Sequence, residues 1–457
     1  MRISSLFIFL IACLGTAPCL AQAVPPVVSI ENDALRRYLD DSSYNPDDYS
    51  YTNMSRYCSG HFGKNDKPAP VTFQWEAVPS RTSVSLEIYE GGRDNGPLVR
   101  YRMEGDPGRF QVYNLTPGVT YRYLLIGTDG NRPGVFDSGF FYVDGRRRMI
   151  RAGTITNIRD FGGMTTTDGK RLVYGRLFRG AAMDNGRMGR RNYKLAPDGD
   201  AVLRDFLHIG ADVDLRNDRE LLLQDGRADN NMDNSPLGPS VEYHHCSIPD
   251  FGCITSPNKY GPAITVVVSS LEKGLNVYVH CAAGADRTGV LSFLLGAMAG
   301  VDENELARDY ELTCFAHGGK ASHSRNSTGA YNYAPSIDYI KRNFQGKTLS
   351  DKVCDYLVKR QGVIPEQITS LRRIMTDHSY VPTRRPGRNT YLGDGTGYTD
   401  SPEIPTLEIK PAPAERQEPE QEKKEPGKPP AMAPDPVGKK EEPSPFTTGT
   451  GNGFFGF

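Results

Sequence analysis

One stretch constrains this chain more than any other: Val279-His280-Cys281-Ala282-Ala283-Gly284-Ala285-Asp286-Arg287-Thr288-Gly289. Cys281 and Arg287 bracket five residues, three of them Ala and one Gly. Before it, residues 275–279 read as a short buried strand. After it, the apolar run 289–298 reads as a buried helix. A strand–loop–helix joint of this composition suits an anion. Small residues let the backbone curl, so that successive N–H groups converge on one charge. The helix, expected to begin near Thr288, points the positive end of its dipole into the same space. Arg287 offers a planar, two-pronged donor to phosphate oxygens. Cys281 then sits beneath the bound phosphorus, where the same amides and dipole favour its thiolate. The Thr288 hydroxyl is expected to donate to the sulfur. His280 is expected to fix the loop through its ring nitrogens, a structural role. The phosphate-binding set therefore reads Ala282, Ala283, Gly284, Ala285, Asp286, Arg287 and Thr288.

Cys-x5-Arg-Thr resembles the signature of the protein tyrosine phosphatase superfamily. The longer form, His280-Cys-x-x-Gly-x-Asp-Arg-Thr-Gly289, is similar to the bacterial tyrosine phosphatases typified by the secreted mycobacterial dual-specificity and lipid phosphatases. A bare Cys-x5-Arg arises by chance in many chains, so its context matters. Here the context includes Asn157-Ile158-Arg159-Asp160-Phe161-Gly162-Gly163, then Leu177-Phe178-Arg179-Gly180. Ala211-Asp212-Val213-Asp214-Leu215-Arg216 follows, with Glu220 four residues on. These pieces match the same group in the same order, as do Asp309-Tyr310 and Leu312-Thr313. The resemblance spans about 230 residues. It implies an α/β tyrosine-phosphatase fold and a cysteinyl-phosphate route needing no metal and no cofactor. The implied substrate is a phosphate monoester: phosphotyrosine on proteins first, then phosphoserine or phosphothreonine, phosphoinositides and inositol phosphates. Relatives often carry Lys where this chain has Ala285. That departure removes a cation from the pocket rim and weakens the case for highly phosphorylated lipids.

Such chemistry needs a general acid on the open side of the pocket. Superfamily members often carry an Asp on a movable loop some thirty residues before the cysteine. Asp250 lies thirty-one residues before Cys281, after Pro249. Its bland alternative is a turn residue. Asp286 is the rival, since it lies in the phosphate loop itself, and its alternative is a structural salt bridge. Asp160, Arg179, Asp214 and Arg216 are expected to pair beneath the site, as charges at strand ends do. Arg159 or Asp160 remains a candidate pocket lining. His244 and His245 show no spacing that suits a metal. The competing view is a non-catalytic phospholigand-binding or adhesin-like envelope protein. The presence of Cys281, Arg287 and acid candidates together speaks against it.

The 457 residues are enough for two or three domains, and the net charge of −1 offers no general attraction to nucleic acid. Residues 1–23 read as a cleaved secretory signal, which implies a secreted or periplasmic protein. A lipoprotein site at Cys13 ranks second. No later segment is apolar and long enough for a membrane span. Residues 24–66 read as a polar, extended leader. Residues 67–146 show six short alternating strands separated by turn signals, which argue a β-sandwich. Its single Trp, Trp75, is expected to fill the space between the sheets. Leu115-Thr116-Pro117-Gly118-Val119-Thr120-Tyr121 resembles the tyrosine-corner segment of fibronectin type III domains, which implies a spacer, a ligand-binding module or a docking lid. Residues 147–378 alternate helix and strand and form the phosphatase-like region. A Gly/Ser/Asn-rich loop over 318–335 holds Lys320, His323 and Arg325. Residues 379–457 read as a Pro/Glu/Lys-rich disordered tail or envelope spacer. An exported chain permits a Cys246–Cys253 disulfide, with free thiols as the alternative.

Overall fold

The computed structural model describes residues 25–43, 57, 66–91, 97–184, 186–188, 191–193, 195–221, 234–249, 251–316, 334–378 and 406–408. The chain divides into two compact units, Met1–Pro411 and Ala412–Phe457, and every described residue lies in the first. The signal segment 1–23, Cys58, Asp250, the residues Lys320, His323 and Arg325, and nearly all of the tail lie outside the described residues.

The β-rich region forms two sheets. The larger runs Val27–Ser29, Arg132–Asp144, Val119–Asp129, Arg81–Glu90, Val99–Glu104 and Thr406–Glu408 in spatial order. The smaller pairs Val71–Gln74 with Arg109–Val112. Burial alternates along Val71–Gln74, as period-two side chains require. Phe73 meets Tyr123 edge to face at 5.1 Å and Phe141 at 5.6 Å, which closes one sheet on the other. The Tyr121 hydroxyl accepts from the Thr116 N–H at 2.9 Å and so fixes the turn that precedes its own strand. Trp75 does not fill the space between the sheets. It is half-buried at the edge, where its indole N–H donates to Asp106 at 2.6 Å. A buried indole needs such a partner, and the apolar interior offers none. Thr406–Glu408, within the stretch expected to be disordered, adds a parallel edge strand beside Arg100–Arg102.

The segment expected to be an extended leader is structured over its described part. Val27–Ser29 pairs in parallel with Tyr142–Asp144. Asn32 then caps a helix over Asp33–Leu39 by accepting from the Leu35 N–H. That helix buries Leu35 and Tyr38 against Leu312, Cys314 and Phe315. A polar stretch can be read as a leader because its few apolar residues are spaced for one helix face, too few to stand out.

The α/β region is built on a five-stranded sheet in the order Glu242–His245, Ile209–Asp214, Asn276–Cys281, Leu177–Ala181, Arg159–Asp160. The first four strands run parallel, and the fifth is antiparallel. Its two faces bury different clusters. Val277 and Val279 join the helices Gly261–Glu272, Asp286–Met298, Leu349–Gln361 and Pro365–Thr376. Tyr278 and Phe178 face the other way, into a cluster that continues through Ile150 and Ile158 to Val84, Leu86 and Phe141 of the β-rich region. A parallel sheet covered on both faces explains the unbroken apolar strands. No helix among the described residues is long and apolar enough to cross a membrane.

Tyr121→Phe is expected to leave the Thr116 N–H buried without its acceptor. The cost is about 1 kcal/mol, to be measured as a lower urea midpoint at unchanged slope.

Candidate active site

The strand Asn276–Cys281 ends at the cysteine, and the helix Asp286–Met298 begins five residues later. The helix therefore starts two residues earlier than its apolar run suggested. No side chain caps it at Ala285, so its first N–H groups stay directed at the loop. Among the described residues, none of the N–H groups of Ala282, Ala283, Gly284 and Ala285 donates a hydrogen bond.

The loop carbonyls are held from the opposite side. Asn157 Nδ2 donates to Ala283 O at 3.1 Å and Gly284 O at 3.0 Å. Arg179 Nη2 donates to Gly284 O at 2.7 Å. A peptide unit is planar with C=O and N–H opposed, so tying the carbonyls down turns the amides up. Gly284 takes φ +66, and a Cβ there would lie 2.2 Å from Gly180 O. Only glycine meets both conditions.

Beneath the loop, Asp309 joins two buried guanidiniums. Arg179 Nη1 reaches Asp309 Oδ2 at 2.6 Å, and Arg159 Nε reaches Oδ1 at 2.9 Å. Arg159 Nη1 also donates to Asn157 Oδ1 at 2.5 Å, which orients the amide that holds the loop. Burial would raise Asp309, but the two arginines outweigh it and hold the carboxyl well below the usual range. Burial and Arg159 lower Arg179 to about 10, with Asp309 and Cys281 opposing the shift. Arg179 stays charged at neutral pH. Asp160 has a different role. It pairs with Arg148 at 3.1 Å and accepts from the Gly162 and Gly175 N–H groups.

His280 lies between two carboxylates, with Nε2 3.0 Å from Asp212 and Nδ1 3.7 Å from Asp214. Burial opposes its charge, but Asp214 and Asp212 prevail and raise the ring to about 9. Arg216 grips Asp214 through Nε and Nη2, the latter at 2.6 Å. Tyr243 adds a donor at 3.1 Å. His280 is therefore a buried cation in the cysteine strand, one residue before Cys281.

Arg287 is half-held by Glu220. Nη2 donates to Glu220 Oε1 at 2.7 Å, and Nη1 bonds the second oxygen. Nη1 also faces the carbonyls of Leu215 and Ile248, each at 3.4 Å. Cys281 is 2 % exposed, at the floor of the loop. Thr288 Oγ1 is fully buried and makes no hydrogen bond among the described residues, so the expected donation to the sulfur is not made in this state. Asp286 is the first residue of the helix and is half-buried. Asp250 lies outside the described residues. Cys246 and Cys253 are free thiols, and burial with the nearby Asp214 pushes Cys246 up to about 11. No group of three or more His, Cys, Asp or Glu side chains among the described residues is placed to hold a metal ion.

The roles of Asn157 and Asp309 were not legible from the sequence, although both fall in segments whose resemblance was visible. The signal for Asn157 is its tolerance of the left-handed backbone, which it adopts at φ +61. Residues 150–377 match the model described as the tyrosine phosphatase family. No curated protein matches the chain significantly. The match takes in the cysteine loop together with Asn157, Arg159, Arg179, Asp212, Asp214 and Asp309.

Two outcomes test this geometry. Gly284→Ala is expected to lower any turnover at Cys281 by at least about a hundredfold, since misplacing a reacting group by an ångström costs that much. The second is a pH dependence. The folded His280, at about 9, lies above the ordinary value of 6.5. Its pairing therefore stabilises fully below about pH 6.5 and is lost as pH rises through 9. In a Cys281→Ser background, which removes the thiol titration, the urea midpoint should fall over that window. His280→Asn in the same background should flatten the profile.

Proposed function

We propose that the protein is a cysteine-dependent phosphatase acting on phosphate monoesters, with phosphotyrosine on proteins as the first substrate class. The tyrosine phosphatase family domain supports phosphatase activity. The observation that carries the finer reading is the set of four loop amides that donate to no described residue, lying in sequence between a buried cysteine and an uncapped helix start that carries Arg287. Those donors match the three equatorial oxygens of a phosphoryl group in flight. The Cys281 thiolate attacks phosphorus in line. An S–P bond forms as the P–O bond to the leaving alcohol or phenol breaks, and an Asp protonates that oxygen. The same carboxylate then takes a proton from water, which attacks phosphorus and frees phosphate and the thiolate.

Asp250 remains the first candidate for the acid. It follows Ile248, whose carbonyl faces Arg287, by two residues. Asp286, on the loop side of the helix, is the second. Export through residues 1–23 and a docking or spacer role for residues 67–146, in a sandwich of fibronectin type III type, complete the proposal. The β-rich region shares an apolar cluster with the α/β sheet, which favours docking over a free spacer.

Phosphate release from a phosphotyrosine peptide, a phosphoserine peptide and a phosphoinositide at mildly acidic pH tests the reading. Release should persist in EDTA and vanish in Cys281→Ser. Asp250→Ala should lose about 10²–10⁴-fold if it is the acid, whereas near-normal rates assign that role to Asp286. No release from any of the three by folded, reduced enzyme would overturn the phosphatase reading in favour of phospholigand binding.

A further inference from the structure

We propose that Asp66, from the segment ahead of the β-rich region, is a positioning residue of the cysteine site, acting through Asn157 on the peptides of Ala283 and Gly284. This inference rests on the phosphatase reading above. Asp66 lies outside residues 150–377, the matched region.

Asp66 is 2 % exposed. A buried carboxylate demands partners, and its partners belong to the loop that serves the cysteine. Its Oδ2 accepts from the Asn157 N–H at 2.8 Å and from Thr156 Oγ1 at 2.7 Å. Asn157 must hold a left-handed backbone, φ +61, for its side chain to reach both Ala283 O and Gly284 O. That conformation is uncommon even for asparagine, which tolerates it best after glycine, and a partner on its N–H helps to hold it. Asp66 is that partner, while Arg159 fixes the side-chain oxygen.

Asp66 is itself anchored. The neighbouring Lys67 Nζ donates to Ile155 O at 2.7 Å. Lys67 O in turn accepts from Asn32 Nδ2 at 2.8 Å, the residue that caps the Asp33–Leu39 helix. The same helix carries Tyr38, whose hydroxyl donates to Glu311 at 2.6 Å. Glu311 lies two residues before Thr313, whose hydroxyl also meets Asn157 Nδ2, at 3.3 Å. The N-terminal segment therefore holds the Asn157 backbone through Asp66 and packs, through Tyr38, on the turn that leads to Thr313. Loss of Asp66 frees the Asn157 peptide to rotate, the two loop carbonyls lose their donor, and the amides opposite them lose their aim.

The test uses the full-length chain and follows alkylation of Cys281 by iodoacetate, with inorganic phosphate as competitor, beside kcat and KM on a phosphotyrosine peptide. Wild type should be protected by phosphate. If it is not, the anion-site reading fails, and this inference with it. Asp66→Ala is expected to raise the half-protecting phosphate concentration and to lower kcat, each by at least about tenfold. Asp66→Asn keeps an oxygen acceptor for both donors, so it should stay within about threefold of wild type. Tyr121→Phe weakens the turn at Thr116, which lies outside this chain of contacts. It should lower the melting temperature and leave phosphate protection near wild type. Should Asp66→Ala not fold, Asp66→Ser, too short to reach Asn157 N, is read the same way. Phosphate-protected wild type with unchanged protection and kcat in the Asp66 variant would overturn the inference alone. An equal loss in Tyr121→Phe would also overturn it, by reducing Asp66 to general stability.

Discussion

The Asp309 carboxylate, held between Arg159 and Arg179, is the contact on which the site depends. Each arginine passes on a constraint. Arg179 takes the Gly284 carbonyl directly, and Arg159 orients the Asn157 amide that takes the same carbonyl and its neighbour. Two positive charges packed side by side would repel, and burial lowers Arg179 further. One carboxylate shared between them offsets both penalties. Stripping it out would leave two uncompensated buried cations, a strongly destabilising change. The direction of the peptides at Ala283 and Gly284 is thus set by electrostatics several bonds away from them.

The parallel strands supply the frame for this. Ile209–Asp214, Asn276–Cys281 and Leu177–Ala181 all end at one edge of the sheet, where ligands of open α/β sheets bind. Alternation along the cysteine strand puts Val277 and Val279 on the helix side and His280 opposite Val279, next to Asp212 and Asp214 of the neighbouring strand. A cation is built into the strand immediately before Cys281, and its two carboxylate partners keep it charged at neutral pH.

Much of this was legible because it is local. The strand, small-residue loop and helix around Cys281 follow one another in sequence, and so do the alternating strands of the β-rich region. Periodicity therefore finds them. What was hidden is long-range. Asn157 and Gly284 are 127 residues apart, and Asp66 and Asn157 are 91 apart. No local pattern in one sequence pairs them. The resemblance located the segments of Asn157 and Asp309 without their contacts. The Asp33–Leu39 helix was lost for a related reason. Its apolar face is short, and its capping Asn32 is legible only once a helix is suspected. Trp75 failed differently, because a sequence gives its strand and not the polar atom its indole must find.

The pairing of Arg287 with Glu220 fits a binding role when the guanidinium is taken edge by edge. Arginine presents two forks to an oxyanion, one through Nη1 and Nη2 and one through Nε and Nη2. Glu220 occupies the first. In the proposed reaction the second takes the phosphate. Glu220 therefore need not be displaced when phosphate enters. It fixes the plane of the guanidinium beforehand, as the Leu215 and Ile248 carbonyls do from the side. Preorganisation of this kind lowers the cost of binding a charge that develops only during reaction. The loop that follows the strand Glu242–His245 sets the Ile248 carbonyl against the same arginine. Through Ile248, two residues before Asp250, the segment of the proposed acid meets Arg287, the proposed phosphate ligand.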